Sequence, residues 1–281
     1  MTHSRAKFEA VPAPELPVGE LVRGKPVAEV ADLLPRLFNI CRAAQTVAVK
    51  RALGQTVSAE WRDAAAKEAR RDHALKLCIT LPARLGIAPL AFRPAWLEEP
   101  RTLVDALGGL PADIEAFDAL MASNADIAPV LRGVHKAFPD RACATGQLPP
   151  VTAETFFDGV PVENSLAGRH ASHPLMEQIA VRYGHGPLWR TVARLVALAA
   201  DPAKPQGPLS PAPRGDYGLK IQTENGIVTD VVRVTPTDHL TLRGGILDRA
   251  LETLPHADMA PLLLDILDPC TPVQIKETVD A

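Results

Sequence analysis

The chain has 281 residues, 47% hydrophobic, 22% charged and 4% aromatic, with a formal net charge of −3. That length and apolar content suffice for a sizeable core in one large domain or two small ones. The slight acidity excludes a basic footprint for nucleic acid or an anionic membrane, and the few aromatics leave no stacking platform for single strands.

Residues 1–25 carry several prolines and little periodicity, and they are expected to be irregular. Their stretch MTHSRAKFEAVPAPELPVGE has no apolar core of the kind a secretory signal needs. No apolar run approaches the ~18 residues of a membrane span. A cytoplasmic protein with reduced thiols is the expectation, and no membrane insertion. From Val27 onward, Val30, Leu33, Leu34, Leu37, Phe38 and Cys41 recur at helical spacing, and this helix is expected to run on towards Leu53 and stop at Gly54. Ser58 reads as the cap of a long helix over 59–84. Residues 85–100 form a proline-rich loop, and 101–140 hold two or three short helices. Residues 174–200 read as helix interrupted near Gly184–Pro187, with a strongly amphipathic second half. Many prolines make 201–215 a loop. Tyr217–Glu224 and Ile227–Val234 alternate apolar and polar residues around Asn225-Gly226, the strongest short-range hairpin signal. Two helices, 244–254 and 259–267, complete the chain. The fold class is mainly α with a small β-hairpin (α+β). We expect a single domain over 1–281, with a C-terminal hairpin-plus-helix unit at 211–281 joined to the N-terminal helices.

The four cysteines, Cys41, Cys78, Cys143 and Cys270, are widely separated and form no CxxC pair. A free cysteine on an apolar helix is usually a small buried hydrophobe, and Cys78 and Cys143 are read so. Cys270 has a different setting. Pro269 stiffens its approach, Asp268 can accept a backbone bond beside it, and Pro272 keeps the next residues out of regular helix. Arg214 sits between Pro213 and Gly215, in a loop that offers close backbone approach and a five-donor fork. Two thiols with an arginine between them make a candidate soft-metal site. His170 and His173 are three apart, but Pro174 follows at once. No nucleophile elbow, phosphate loop or zinc-protease motif is present, so no catalytic residue is assigned.

These residues resemble a family. Pro211–Gly215, the hairpin, Thr235-Pro236-Thr237 and Asp268-Pro269-Cys270 are similar to the end of nickel–iron hydrogenase large subunits. Leu37-Phe38-Asn39-Ile40-Cys41 resembles their first cysteine segment, and Ser165–Arg169 is a looser echo of a middle one. The resemblance implies a reduced large-subunit-like helical fold. It also implies that the arginine and the hydroxyl of this motif, here Arg214 and Thr237, point at cyanides on iron. Only the first cysteine of each pair is kept. The bridging positions are Ala44 and Val273, and the histidine after the second pair is Lys276. Hydrogen turnover is therefore not expected, nor is nickel. The pattern LPRLF-x-x-C-x-x-AQ at Leu34–Gln45 is similar to the HupK/HoxV type of hydrogenase accessory protein. That resemblance implies a scaffold, not an enzyme, that transiently holds an Fe(CN)2(CO) unit for the large subunit. Cys41 and Cys270 would be the metal ligands, with Arg214, Pro213, Thr237 and Asp268 around them. The partners would be other maturation proteins and the large subunit. A metal-free chaperone that mimics the large subunit is the second reading, and a small catalytic subunit the third.

Overall fold

The structure, a computed structural model, describes residues 7–14, 16–37 and 41–278. The chain opens with strand β1 (Lys7–Pro12) and the short helices α1 (Val18–Val22) and α2 (Val27–Leu33). Helix α3 (Arg42–Ala52) follows, then α4 (Ala59–Leu75). A five-residue π-helical stretch, Lys76–Thr80, joins α4 to α5 (Leu81–Arg84). Next come α6 (Pro100–Leu107), α7 (Ile114–Ala122), α8 (Ala128–Ala137) and the single turn α9 (Leu166–Arg169). Helices α10 (Pro174–Tyr183) and α11 (Pro187–Ala199) precede β2 (Leu209–Ala212), β3 (Gly215–Glu224) and β4 (Ile227–Val234). The chain closes with α12 (Pro236–Thr241), α13 (Ile246–Leu251), α14 (Ala260–Leu267) and β5 (Val273–Thr278).

Helix α11 is the axis of the larger core. Trp189, Val192, Ala193, Leu195 and Val196 are all buried, because α4, α6, α8, α10 and α14 pack around it. A helix apolar all round belongs in an interior. Two arginines, Arg190 and Arg194, are nonetheless buried on it, and both need partners. Arg190 makes a bidentate pair with Glu163, at 2.9 and 2.8 Å. Arg194 turns instead to the carboxylates of Asp72 and Asp268.

A second, smaller core joins α1, α2 and α3 to the sheet β2–β3–β4, through Val22, Val30, Leu34, Ala48, Tyr217, Leu219 and Val228. The β3–β4 hairpin turns at Asn225 (φ 51°) and Gly226 (φ 78°), the left-handed pair that a two-residue turn demands.

The structure departs from the sequence reading in four places. Residues 1–25 are not wholly irregular: β1 and α1 lie within them. Strand β1 forms because it pairs antiparallel with β5, from the far end of the chain, with Ala10 opposite Ile275. Phe8, Ala10, Val273 and Ile275 pack on the helical core while Glu9, Gln274 and Lys276 alternate outward. The helix from Val27 does not run through Cys41. It gives way to a 3-10 turn at Leu34–Arg36 and restarts at Arg42. Phe38, Asn39 and Ile40 lie outside the described residues. Strand β2 occupies part of the expected loop 201–215. Helix α12 stands where none was expected, started by a capping box between Thr235 and Asp238.

Gly218 shows how tightly the sheet meets its neighbours. A Cβ there would fall 2.6 Å from Phe156 Cδ1 and 2.8 Å from Phe157 Cζ. Gly218→Ala is expected to cost about 1–3 kcal/mol through overpacking. A thermal melt checks this, with a fall of roughly 2–4 °C per kcal/mol.

Candidate functional site

Cys41 and Cys270, far apart in sequence, line one cavity of about 310 Å3 between the two cores. Pro213, Arg214 and Thr237 line it too, so five of the six residues singled out in the sequence meet there. The sixth, Asp268, lies directly behind Arg214. Leu37, Gln45, Ala212, Tyr217, Arg233, Thr235, Pro236 and Thr271 complete the wall.

Cys41 stands at the N-terminus of α3 without capping it. Glu68 of α4 does so instead, accepting from Ala43 N at 2.8 Å and Ala44 N at 3.1 Å. Burial pushes the Glu68 carboxyl up, and the two backbone donors pull it back in part. The Cys41 side chain is thus left to the cavity. Its Sγ accepts from Gln45 Nε2 at 3.3 Å, one helical turn on. Burial pushes the Cys41 thiol up; Gln45 and Arg214 oppose this, while Glu68 and Cys270 add to it.

Cys270 is held by one hydroxyl. Thr237 Oγ1 accepts from Cys270 N at 2.8 Å and donates to Cys270 Sγ at 2.9 Å. The proton that the resemblance directs at a cyanide is here directed at sulfur. Asp268 ends α14 in the left-handed region (φ 58°), which turns the chain sharply into Pro269 and Cys270.

Arg214 is clamped by two carboxylates. Its Nη2 donates to Asp72 Oδ1 at 2.9 Å. Its Nε lies 2.8 Å from Asp268 Oδ2, an ion-pair contact that misses hydrogen-bond alignment. Nη1 has no partner among the described residues, and it is the donor left for a guest. Burial alone would lower the guanidinium pKa; Asp268 and Asp72 more than reverse that and raise it. The loop itself is pinned from below by α9. Arg169 donates to Ala212 O at 3.1 Å and Gly215 O at 2.5 Å, and Leu166 N donates to Arg214 O at 3.1 Å. The looser middle echo in the sequence is therefore the buttress of the arginine loop.

Behind Arg214 lies a buried ion cluster that the sequence did not disclose. Asp268 Oδ2 accepts from Arg194 at 3.0 Å and Asp268 Oδ1 pairs with Lys76 at 3.0 Å. Asp72 Oδ2 accepts from Arg194 at 3.2 Å. Burial alone would raise the Asp268 pKa, but Arg194, Arg214 and Lys76 hold it down at about 2. His73 is buried and lies 3.3 Å from Arg194 through Nδ1. Burial, then Arg194 and Arg169, keep it far below the usual range, so it is neutral and accepts. Two arginines spaced four apart on an otherwise apolar helix were the available signal for this cluster. Asp72, in a run of charged residues on α4, offered none.

Tyr217 and Arg233 were also missed. Arg233 Nε donates to the Tyr217 hydroxyl at 3.1 Å, and its guanidinium stacks 5.4 Å from that ring. Cys78 and Cys143 are fully buried in the helical core, and burial pushes their thiols to about 11 and about 12. Both are unreactive packing residues. Ala44 is buried in the smaller core and Val273 packs on the larger. Among the described residues, no group of three or more His, Cys, Asp and Glu side chains is placed to hold a metal ion. The protein thus offers two sulfurs and a guanidinium, a donor set suited to a metal that brings further ligands of its own. Among the described residues no helix is long and apolar enough to cross a membrane.

A curated protein of Rhodobacter capsulatus, hydrogenase expression/formation protein HupK, is 41% identical to this chain over 290 aligned residues. The alignment covers 99% of this chain and 95% of the relative. No family model matches the chain.

Asp268→Asn leaves one buried and two partly buried cations, Arg194, Lys76 and Arg214, without a charged acceptor and is expected to cost roughly 3 kcal/mol, read from the denaturant midpoint. The folded Asp268 value of about 2 lies below the ordinary 3.8. Its contribution is therefore complete above about pH 4 and is lost as the pH falls through 2. Acid unfolding of Asp268→Asn should lack that part of the pH dependence.

Proposed function

The chain belongs to the family of hydrogenase expression/formation protein HupK, and from that premise we propose that it is an assembly scaffold of nickel–iron hydrogenase maturation. Its cargo is an Fe(CN)2(CO) unit, held transiently for delivery to the hydrogenase large subunit. The observation that carries this reading is the one cavity that Cys41, Cys270 and Arg214 line together.

The donor set supports it. An iron already carrying two cyanides and one carbon monoxide needs few protein ligands, and two thiolates meet that need. Loading forms two Fe–S bonds and releases the two thiol protons to water, with no change of oxidation state. Cyanide nitrogens are hydrogen-bond acceptors with partial negative charge, and Arg214 Nη1 offers a charge-assisted donor to one of them. Arg169 and Leu166 pin the loop that carries this arginine, and Asp72 and Asp268 fix its plane.

Ala44, which is buried, and Val273, which is partly buried, support a carrier over a catalyst. Both stand where the resemblance puts the thiolates that bridge a second metal, and both are committed to packing. We read the whole as a reduced large-subunit-like fold whose partners are the maturation proteins and the large subunit itself, acting without catalysis.

Infrared spectroscopy tests the proposal. Protein purified anaerobically from a maturation-competent host is expected to show bands of metal-bound carbon monoxide and cyanide. Cys41→Ser and Cys270→Ser should each abolish them, while Cys78→Ser should leave them unchanged. A wild-type protein without these bands, with iron far below stoichiometric, overturns the reading. It would leave the metal-free chaperone, provided that both serine variants still support hydrogenase maturation.

A further inference from the structure

Each cavity cysteine receives a hydrogen bond on its sulfur from a deeply buried neighbour. Gln45, 3% exposed, donates to Cys41 Sγ at 3.3 Å, and Thr237, 4% exposed, donates to Cys270 Sγ at 2.9 Å. We propose that Gln45 and Thr237 are a matched pair of positioning residues that aim the two sulfurs into the cavity and draw charge from them, so that a metal is held by a weakened dithiolate. The proposal rests on the scaffold reading for the identity of the cargo, and on the geometry alone for the sulfur contacts.

Three observations carry it. The first is what the burial of Gln45 costs. A buried amide must find partners, and a neutral thiol is a poor acceptor. Gln45 Nε2 nevertheless ends on Cys41 Sγ, and its Oε1 has no partner among the described residues. In this orientation the amide N–H meets a much better acceptor when the sulfur carries negative charge or is bound to a metal than when it is a neutral thiol. The second is rigidity. Gln45 lies one turn after Cys41 on α3, whose first turn is tied to Glu68, so the amide stays over the sulfur. Thr237 sits in the first turn of α12 behind the Thr235–Asp238 capping box. It grips both N and Sγ of Cys270, which fixes that side chain. The third is the arrangement of the pair. The two donors come from different elements, a helix on the sheet side and a helix after the hairpin, and each serves one sulfur of the same cavity.

The chemical consequence lies in the sulfur lone pairs. A donor on a thiolate lowers the energy of the lone pairs left for a metal. It also competes for the pair that a second metal would need. Both effects favour a terminal bond to one metal that can be exchanged.

The test uses the full chain, freed of metal and titrated anaerobically with Co(II), which reports thiolate ligation through a sulfur-to-cobalt charge-transfer band. Wild-type protein is expected to show this band. Gln45→Leu removes the donor and Gln45→Asn shortens it beyond reach; both should move the band to lower energy, as should Thr237→Val. Thr237→Ser keeps the hydroxyl and should keep the wild-type position. In protein loaded with the iron fragment, the same donor-free variants should move the carbon monoxide band to lower wavenumber, because a more electron-rich iron donates more to that ligand. Unshifted bands in Gln45→Leu, Gln45→Asn and Thr237→Val overturn the proposal, as does a wild-type cobalt complex without charge transfer. If the cobalt shifts appear but purified wild-type protein lacks metal-bound carbon monoxide and cyanide bands, the iron-fragment reading fails and the sulfur pair stands.

Discussion

The ion pair between Asp268 and Arg194 is the contact on which the site depends. Arg194 is carried by the central helix of the larger core, so its position is set by the best-packed part of the molecule. Asp268 is the residue at which α14 stops and the chain turns towards Cys270. Their contact ties the cysteine to the core. Arg214 and Asp72 then close the same cluster from the hairpin loop and from α4. Four separate stretches of chain meet at two carboxylates. Isolated pairs of this kind contribute little net stability after desolvation, but removal of one member leaves an uncompensated buried charge. The cluster therefore acts mainly as a register pin for the cavity wall.

The charges of the cluster do not cancel. Lys76, Arg194 and Arg214 are three cations against the two carboxylates Asp72 and Asp268, and including Asp265 with Arg84 adds one of each sign. One positive charge is left over beside a cavity lined by two cysteines. The cavity is thus prepared for negative charge, and two metal-bound thiolates would supply it. Burial sets the cost of ionising Cys41; Gln45 and Arg214 reduce it, while Glu68 and Cys270 add to it.

Much of this was legible in sequence, for reasons that can be named. The hairpin was readable because Asn225-Gly226 is a local signal, sufficient without tertiary context. The break between α10 and α11 was readable because Gly184 and Pro187 interrupt a strong pattern. Cys41, Cys270, Pro213, Arg214 and Thr237 were grouped by resemblance, and the structure brings all five to one cavity. The β1–β5 ribbon was not readable, since each strand is short and its partner lies at the other end of the chain. Helix α12 had a readable start in Thr235 and Asp238, but its six residues are too few for a periodic pattern. The ion cluster was the largest omission. Asp72 and Lys76 look like ordinary surface charges on a helix rich in them, and only the packing of α11 against α4 shows that they face inward.

The positions that lack cysteine are as informative as those that have it. Ala44 lies in the first turn of α3, with its amide on Glu68 and its methyl group in the smaller core. Val273 opens β5, the strand that zips the chain's two ends together. A thiol at either place would sit in packing that the fold now uses for other ends. The two cavity sulfurs each meet a donor from their own neighbourhood, which under the proposed reading would make the cavity a two-sulfur site. A centre that must keep two metals through many turnovers needs bridging thiolates with lone pairs to spare. A holding site needs the opposite: sulfurs that are fixed in direction, modest in donor strength and served by a guanidinium whose plane is locked by Asp72 and Asp268.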